Sequence, residues 1–326
     1  GDRMDKVNEN SKEVQKVKFY KSGIKTEMYL LIILAILFIV LALNSPVFLT
    51  ASSLKTLLRQ ASIYGIVAIG MVFVITSAGI DLSVGSVVGL SGVLTAIFIM
   101  QGLPIPLAII ISIAAGAFIG LINGILIHDG KVPPFIATMG TMTVTRAIIM
   151  LITGAKMISG LPKSFTGIAQ KTVLGIPFLF VSWIVVVIIA WFITHKTVFG
   201  RNIYALGSNK EAARLSGIDV RKTTYGVYIF SAFVCSIAGI LLTTRLGNGV
   251  PTSGTGYELD AIAASVVGGA SLDGGEGSVI GTVLGAMIMA TLRQGGTLLG
   301  INSFIVEIII GSLIVVAVLI DKLRKN

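Results

Sequence analysis

Charge is what this sequence has least of. Lys, Arg, Asp and Glu make up 12% of its 326 residues, against roughly 25% in a soluble globular chain. That shortage excludes an ordinary water-soluble domain. Cysteine is nearly absent as well. The single Cys235 lies inside an apolar run, so no intrachain disulfide can form and nothing follows about redox compartment. There are two histidines, His128 and His195. Neither has a carboxylate or thiol at ligand spacing, so no metal site is expected. The sequence contains no G-x-S-x-G, no H-E-x-x-H and no C-x-x-C, and it lacks the phosphate-cradling loop G-x-x-x-x-G-K-[ST]. No catalytic set and no cofactor are expected. If ATP drives this protein, another chain binds it.

What fills the sequence instead is apolar. Hydrophobic residues reach 54% and glycine is abundant, at 38 residues against 8 prolines; mean hydropathy is +0.94. Apolar runs fall at Tyr29–Leu43, Ala61–Ser77, Ser83–Met100, Ile105–Ile127, Phe135–Thr153, Phe178–Thr194, Thr223–Thr244, Leu259–Gly269, Ser278–Leu292 and Phe304–Ile320. Most approach the ~20 residues that cross a bilayer as a helix. The run at 259–269 is too short, and is expected to pair with irregular backbone buried in protein. Asn44 to Gln60, with Pro46, Lys55 and Arg59, reads as an interfacial segment. The expected fold is an all-α polytopic membrane protein of about ten transmembrane helices. A polar tail over 1–27 precedes a transmembrane domain over 28–321, and a short basic tail over 322–326 follows.

The net charge of +10 does not point to nucleic acid, because the basic residues gather in loops and tails between apolar runs. With the N-terminus inside and the spans alternating, seventeen Lys and Arg fall inside and five outside, while Arg146, Arg245 and Arg293 sit in or at the edge of spans. The excess places both termini and the 195–222 loop in the cytoplasm. The word D-x-x-x-G-S-V-x-G occurs at Asp81–Gly89 and again at Asp273–Gly281. Both copies enter a span from the inside, which suggests a parallel internal repeat. Small-xxx-small spacing at Gly85/Gly89, Gly116/Gly120/Gly124 and Gly277/Gly281/Gly285 marks faces where helices can approach closely.

The polar groups nearest the membrane are the site candidates. Asp81 and Asp273 begin spans on the cytoplasmic side, where capping is the plain role of a carboxylate. Asn123, Asn248, Glu258 and Asp260 could line a route for a neutral polar solute, against a purely structural hydrogen-bonding role. Arg293 and Glu307 fall towards the outer ends of the last two spans, where an ion pair between them or snorkelling suffices. The most informative stretch is Gly200 to Arg221, GRNIYALGSNKEAARLSGIDVR, one of the few long polar segments. Asn209 suits an N-cap, Lys210 to Leu215 are good helix formers, and Gly217 stands where a helix would end. A short surface helix is expected there, either as an ordinary connector or as a docking element for a soluble partner.

Glu211-Ala212-Ala213, then three residues, then Gly217, resembles the coupling loop of permease subunits of ABC importers. The words AGIDLSVGS (Ala78 to Ser86), VPPFIATMGTM (Val132 to Met142) and TSGTGYELDAIAASVVGGASLDGG (Thr252 to Gly275) are similar to the monosaccharide, ribose-type branch of that family. The resemblance runs from about Tyr29 to Asp321. It departs in one place, since no Leu-Pro follows Gly217, which touches the detail of docking. The resemblance implies a bacterial-type inner membrane location and a homodimer. It also implies a cytoplasmic ATP-binding subunit and an extracytoplasmic sugar-binding protein. Asn209, Lys210, Glu211, Ala212, Ala213, Arg214 and Gly217 would then meet the ATPase. The competing reading is an ion-coupled secondary transporter, which calls for carboxylates in mid-span.

Overall fold

The computed structural model describes residues 26–325. The tail expected over 1–27 therefore lies outside the described residues, apart from Thr26 and Glu27, which begin the first helix. The helices are α1 (Thr26–Asn44), α2 (Ala51–Thr76), α3 (Val84–Met100), α4 (Ile105–His128), α5 (Pro134–Thr153), α6 (Lys163–Thr166), α7 (Phe178–Lys196), α8 (Val198–Ser208), α9 (Lys210–Leu215), α10 (Val220–Leu246), α11 (Tyr257–Val267), α12 (Val279–Leu298) and α13 (Ser303–Lys325). Two-residue strands at Thr172–Val173 and Ile176–Pro177 make one small hairpin.

Local chemistry sets many of the boundaries. Proline opens α4 and α5 in the first turn, where its missing N–H costs nothing. Gly154 and Gly247 close α5 and α10 in the left-handed conformation. Among the described residues, seven helices are long and apolar enough to cross a membrane: α1, α2, α4, α5, α7, α10 and α13. The other three runs expected to span are also helices, namely the 17-residue α3, the 11-residue α11 and α12.

α2, α3 and α10 form the core. In the most apolar stretches of α2 and α10, 78% and 72% of residues are buried, against 11–22% in α1, α4, α5, α7 and α13. The peripheral helices turn Ile, Leu, Val and Phe outward, as a lipid-facing surface requires. Glycine sets the closest approaches. Gly116 and Gly120 of α4 lie so near Ser236 and Tyr228 of α10 that an added Cβ would overlap them. Gly281 and Gly285 of α12 meet the backbone carbonyls of Gly268 and Ala264 in the same way. Gly85 and Gly89 of α3 behave differently. They receive the carbonyls of Gly254 and Ser253, in the irregular chain that precedes α11. The short α11 is thus accompanied by non-helical backbone packed against protein, as its length requires.

One end of the bundle gathers the start of α1, the end of α2, the α4–α5 turn, α8, α9, the loop before α12 and the end of α13. Ser278 donates to Glu27 (2.7 Å), the Gly275 amide donates to the Thr76 carbonyl (2.9 Å), Lys322 pairs with Asp273 (2.7 Å), and Arg221 pairs with Asp129 (3.1 Å). The Tyr225 hydroxyl, with that guanidinium, holds the Asp129 carboxyl below the usual range.

Several expectations are corrected. The segment over 44–60 does not stand apart as an interfacial piece. From Ala51 it belongs to one continuous helix that runs to Thr76. The cap of α12 is Ser278, which accepts from the Gly281 amide (3.0 Å); Asp273 is held by Lys322 instead. Arg293 pairs with Asp260 (2.5 Å) rather than with Glu307. Both copies of the repeated word lead into a helix, α3 starting three residues after Asp81 and α12 six after Asp273.

Candidate functional site

The polar 200–221 stretch forms two helices, α8 and α9, sharing Asn209 as a joint. Thr197 caps α8 by accepting from the Gly200 amide (3.1 Å). Its inward side carries Gly200, Ile203, Leu206 and Gly207. Gly207 sits against the Thr76 carbonyl and Gly275 with no room for a Cβ, and the Tyr204 hydroxyl donates to the Gly277 carbonyl (2.7 Å). α8 therefore fastens the loop to the end of α2 and to the start of α12. Its signal was present in the sequence as small or apolar residues at 200, 203, 206 and 207.

α9 is capped at both ends. Asn209 Oδ1 accepts from the Ala212 amide (2.9 Å). At the other end Gly217 has φ +83°, its N–H donates to the Arg214 carbonyl, and that of Ile218 to the Ala213 carbonyl. This is a Schellman closure, and the positive φ explains the glycine. Lys210, Glu211, Ala212 and Arg214 are exposed, while Ala213 is 4% exposed and turned into its own chain. Glu211 and Arg214 pair with each other (2.5 Å), which holds the Glu211 carboxyl below the usual range. Leu215 is 75% exposed. It is an apolar knob at the end of a polar helix, and it was not singled out from the sequence.

Asp81 is buried at the start of α3. Its carboxylate accepts from the Ser83 amide (2.9 Å), the Ser83 hydroxyl (2.6 Å) and the Ser231 hydroxyl of α10 (3.2 Å). Asn123 donates to the Ser83 oxygen (2.9 Å) and accepts from Thr141 of α5 (2.7 Å). One hydrogen-bonded cluster thus ties α3, α4, α5 and α10, and it satisfies groups that would be costly alone in a membrane.

The four route candidates are not brought together. Asn123 belongs to that cluster. Asn248 turns back on the Leu246 carbonyl (3.2 Å). Asp260 pairs with Arg293, whose guanidinium lies over the Tyr64 ring. Glu258 keeps one buried acceptor unmet: Oε1 accepts from the Gly256 amide (3.2 Å), while Oε2 has no hydrogen-bond partner among the described residues.

A short capped surface helix anchored to the ends of buried helices, and broken backbone inside an apolar bundle with seven candidate spans, define a polytopic membrane protein. The family model described as the permease component of branched-chain amino acid transport systems matches residues 53–318, and the chain belongs to that family. It is 41% identical over 315 residues to the ribose import permease protein RbsC of Bacillus subtilis, covering 96% of this chain and 98% of that one. It is 37% identical over 293 residues to the D-allose transport system permease protein AlsC of Escherichia coli, covering 89% and 90%. It is 39% identical over 341 residues to the xylose transport system permease protein XylH of Haemophilus influenzae, covering 86% and 91%. No solved structure matches.

Proposed function

We propose that this chain is the membrane-spanning subunit of an ATP-binding cassette importer. It passes a monosaccharide, ribose or a related pentose or hexose, from an extracytoplasmic binding protein into the cytoplasm. The observation that carries this reading is the α8–α9 unit. α9 presents an exposed face of mixed charge with one apolar knob, and α8 joins it rigidly to α2 and to the loop before α12. A partner that moves α9 therefore moves the helices around which the bundle is built. ATP would be hydrolysed on that partner, a separate cytoplasmic subunit. The gathered end, which carries α8 and α9, faces the cytoplasm, in agreement with the bias of Lys and Arg. α3, α11 and α12 complete ten crossings, with α11 crossing jointly with the chain before it, and the words at Asp81 and Asp273 enter α3 and α12 in parallel.

The protein works as a homodimer, and α5 supports this. It is the least hydropathic of the seven candidate spans, yet only 22% of it is buried, as for α4 and α7. Gly140, Thr143 and half-buried Arg146 lie along it. Such a face suits a second copy and a wet route better than lipid. On this reading Glu258 reaches the route, while Asn123, Asn248 and Asp260 hold the elements that border it. Asp81 is the kind of buried carboxylate an ion-coupled carrier would use, but three donors already satisfy it. Reconstitution into liposomes tests the reading. Uptake of labelled D-ribose, D-xylose or D-allose should require ATP, the ATPase and the binding protein. Uptake driven by an ion gradient alone would overturn it.

A further inference from the structure

The middle of α5 carries polar side chains whose hydrogen bonding is incomplete. Arg146 lies twelve residues into a 20-residue candidate span, and charge at that depth is costly unless it faces a cavity or partner. Its Nη1 donates to the Ser253 carbonyl (2.5 Å). A guanidinium has five N–H groups, and among the described residues the others find no acceptor. Glu258 acts on Arg146 electrostatically, yet the two form no ion pair within bonding distance. Glu258 Oε2 and the Thr145 hydroxyl are both buried without a hydrogen-bond partner. Arg146 and Glu258 lie over one face of α3, a turn apart. An added Cβ at Gly89 would meet Arg146 Nη1 at 2.9 Å, and one at Gly85 would overlap Glu258 Oε2. Glycine on α3 is what lets the two charged groups enter the bundle there.

We propose that Arg146 and Glu258 form the point in the route where the sugar is held, with Thr145 beside them. This rests on the permease reading above. Guanidinium N–H groups donate to hydroxyl oxygens of the sugar, Glu258 Oε2 accepts from a hydroxyl, and the Thr145 hydroxyl does either. The set matches a neutral polyhydroxylated ring, whose hydroxyls both donate and accept, and unmet groups at close quarters bind it without capturing it. A substrate that is only an anion would leave Glu258 opposed.

The test uses the assembled transporter in liposomes, with its ATPase and binding protein. Arg146→Gln and Glu258→Gln should each lower uptake of D-ribose, D-xylose or D-allose by about tenfold or more, the scale of one lost charged hydrogen bond. Co-purification with the ATPase subunit shows that each variant is assembled. In a second measurement, Arg146→Cys in a Cys235→Ser background should react with a small water-soluble methanethiosulfonate, and saturating sugar during turnover should slow the reaction. Val315→Cys, exposed on α13, is the comparison. Parental uptake in both glutamine variants, or an Arg146→Cys as unreactive as Val315→Cys, overturns the inference and leaves the permease reading intact. A parent transporter that carries none of the three sugars defeats the sugar assignment, whatever the variants do.

Discussion

At the residue scale, Leu215 and Ala213 divide the work of α9 in a way their neighbouring positions do not suggest. Ala213 is buried against its own chain, so a large or charged group there would unseat the helix before any partner arrived. Leu215 projects into solvent, where only a partner can cover it. We expect Leu215→Asp to leave the thermal unfolding of the permease in detergent within about 0.5 kcal/mol of the parent. The same variant should retain about a tenth of the ATPase on co-purification, since a buried apolar anchor is worth about 1–2 kcal/mol or more. Full retention would remove Leu215 from the docking surface. Ala213→Asp should lower both stability and uptake. Gly217→Val should reduce uptake with the protein still in the membrane. Its Cβ meets open space, so the damage comes from φ +83° alone, about 1 kcal/mol or more for a β-branched residue.

At the scale of elements, the bundle depends on backbone contacts that only glycine permits. Gly281→Leu would drive a side chain into the Gly268 carbonyl and separate α12 from α11. Overpacking of this kind costs about 1–3 kcal/mol or more. Yield of monodisperse protein and its unfolding temperature should both fall, and an unchanged protein would show that the α11–α12 contact is looser than described. α8 gives a gentler probe. Tyr204→Phe removes the bond to the Gly277 carbonyl, a loss of about 1 kcal/mol. It should lower the uptake obtained per ATP hydrolysed while the ATPase stays bound, because the joint between α8 and the start of α12 slackens. Equal uptake per ATP in variant and parent would show that the force travels by another route.

At the scale of the whole molecule, the gathered end makes a topological claim. A cysteine replacing Lys163, beside the hairpin at the far end, should react with an impermeant reagent added outside cells. One replacing Asn209 should react only after the membrane is opened. The reverse pattern would invert the protein and detach α9 from any cytoplasmic ATPase. The proposed homodimer makes a second claim. Val144→Cys on the outward side of α5 should cross-link between two copies under mild oxidation in a Cys235→Ser background, and Val315→Cys on α13 should not. Cross-linking through α13 alone would move the interface to the other side of the bundle.

The apolar runs, the polarity of the loops and the caps of α9 were legible in the sequence. Each rests on local physics: a bilayer demands about twenty apolar residues, Asn209 reaches its own helix three residues on, and Gly217 alone accepts a left-handed turn cheaply. The close contact of Gly116 and Gly120 with α10 followed from spacing, although the partner helix did not. What tertiary structure decided were the long-range pairings. Asp81 reads as a cap, because nothing near it in sequence shows that Ser231, 150 residues away, will close over its carboxylate. Arg293 chose Asp260 over Glu307, and Arg146 came to face Ser253 and Glu258, because α11 is short and the chain before it folds inward along α3. Composition limits how many charges such a bundle can hold. Which of them meet depends on where its helices break.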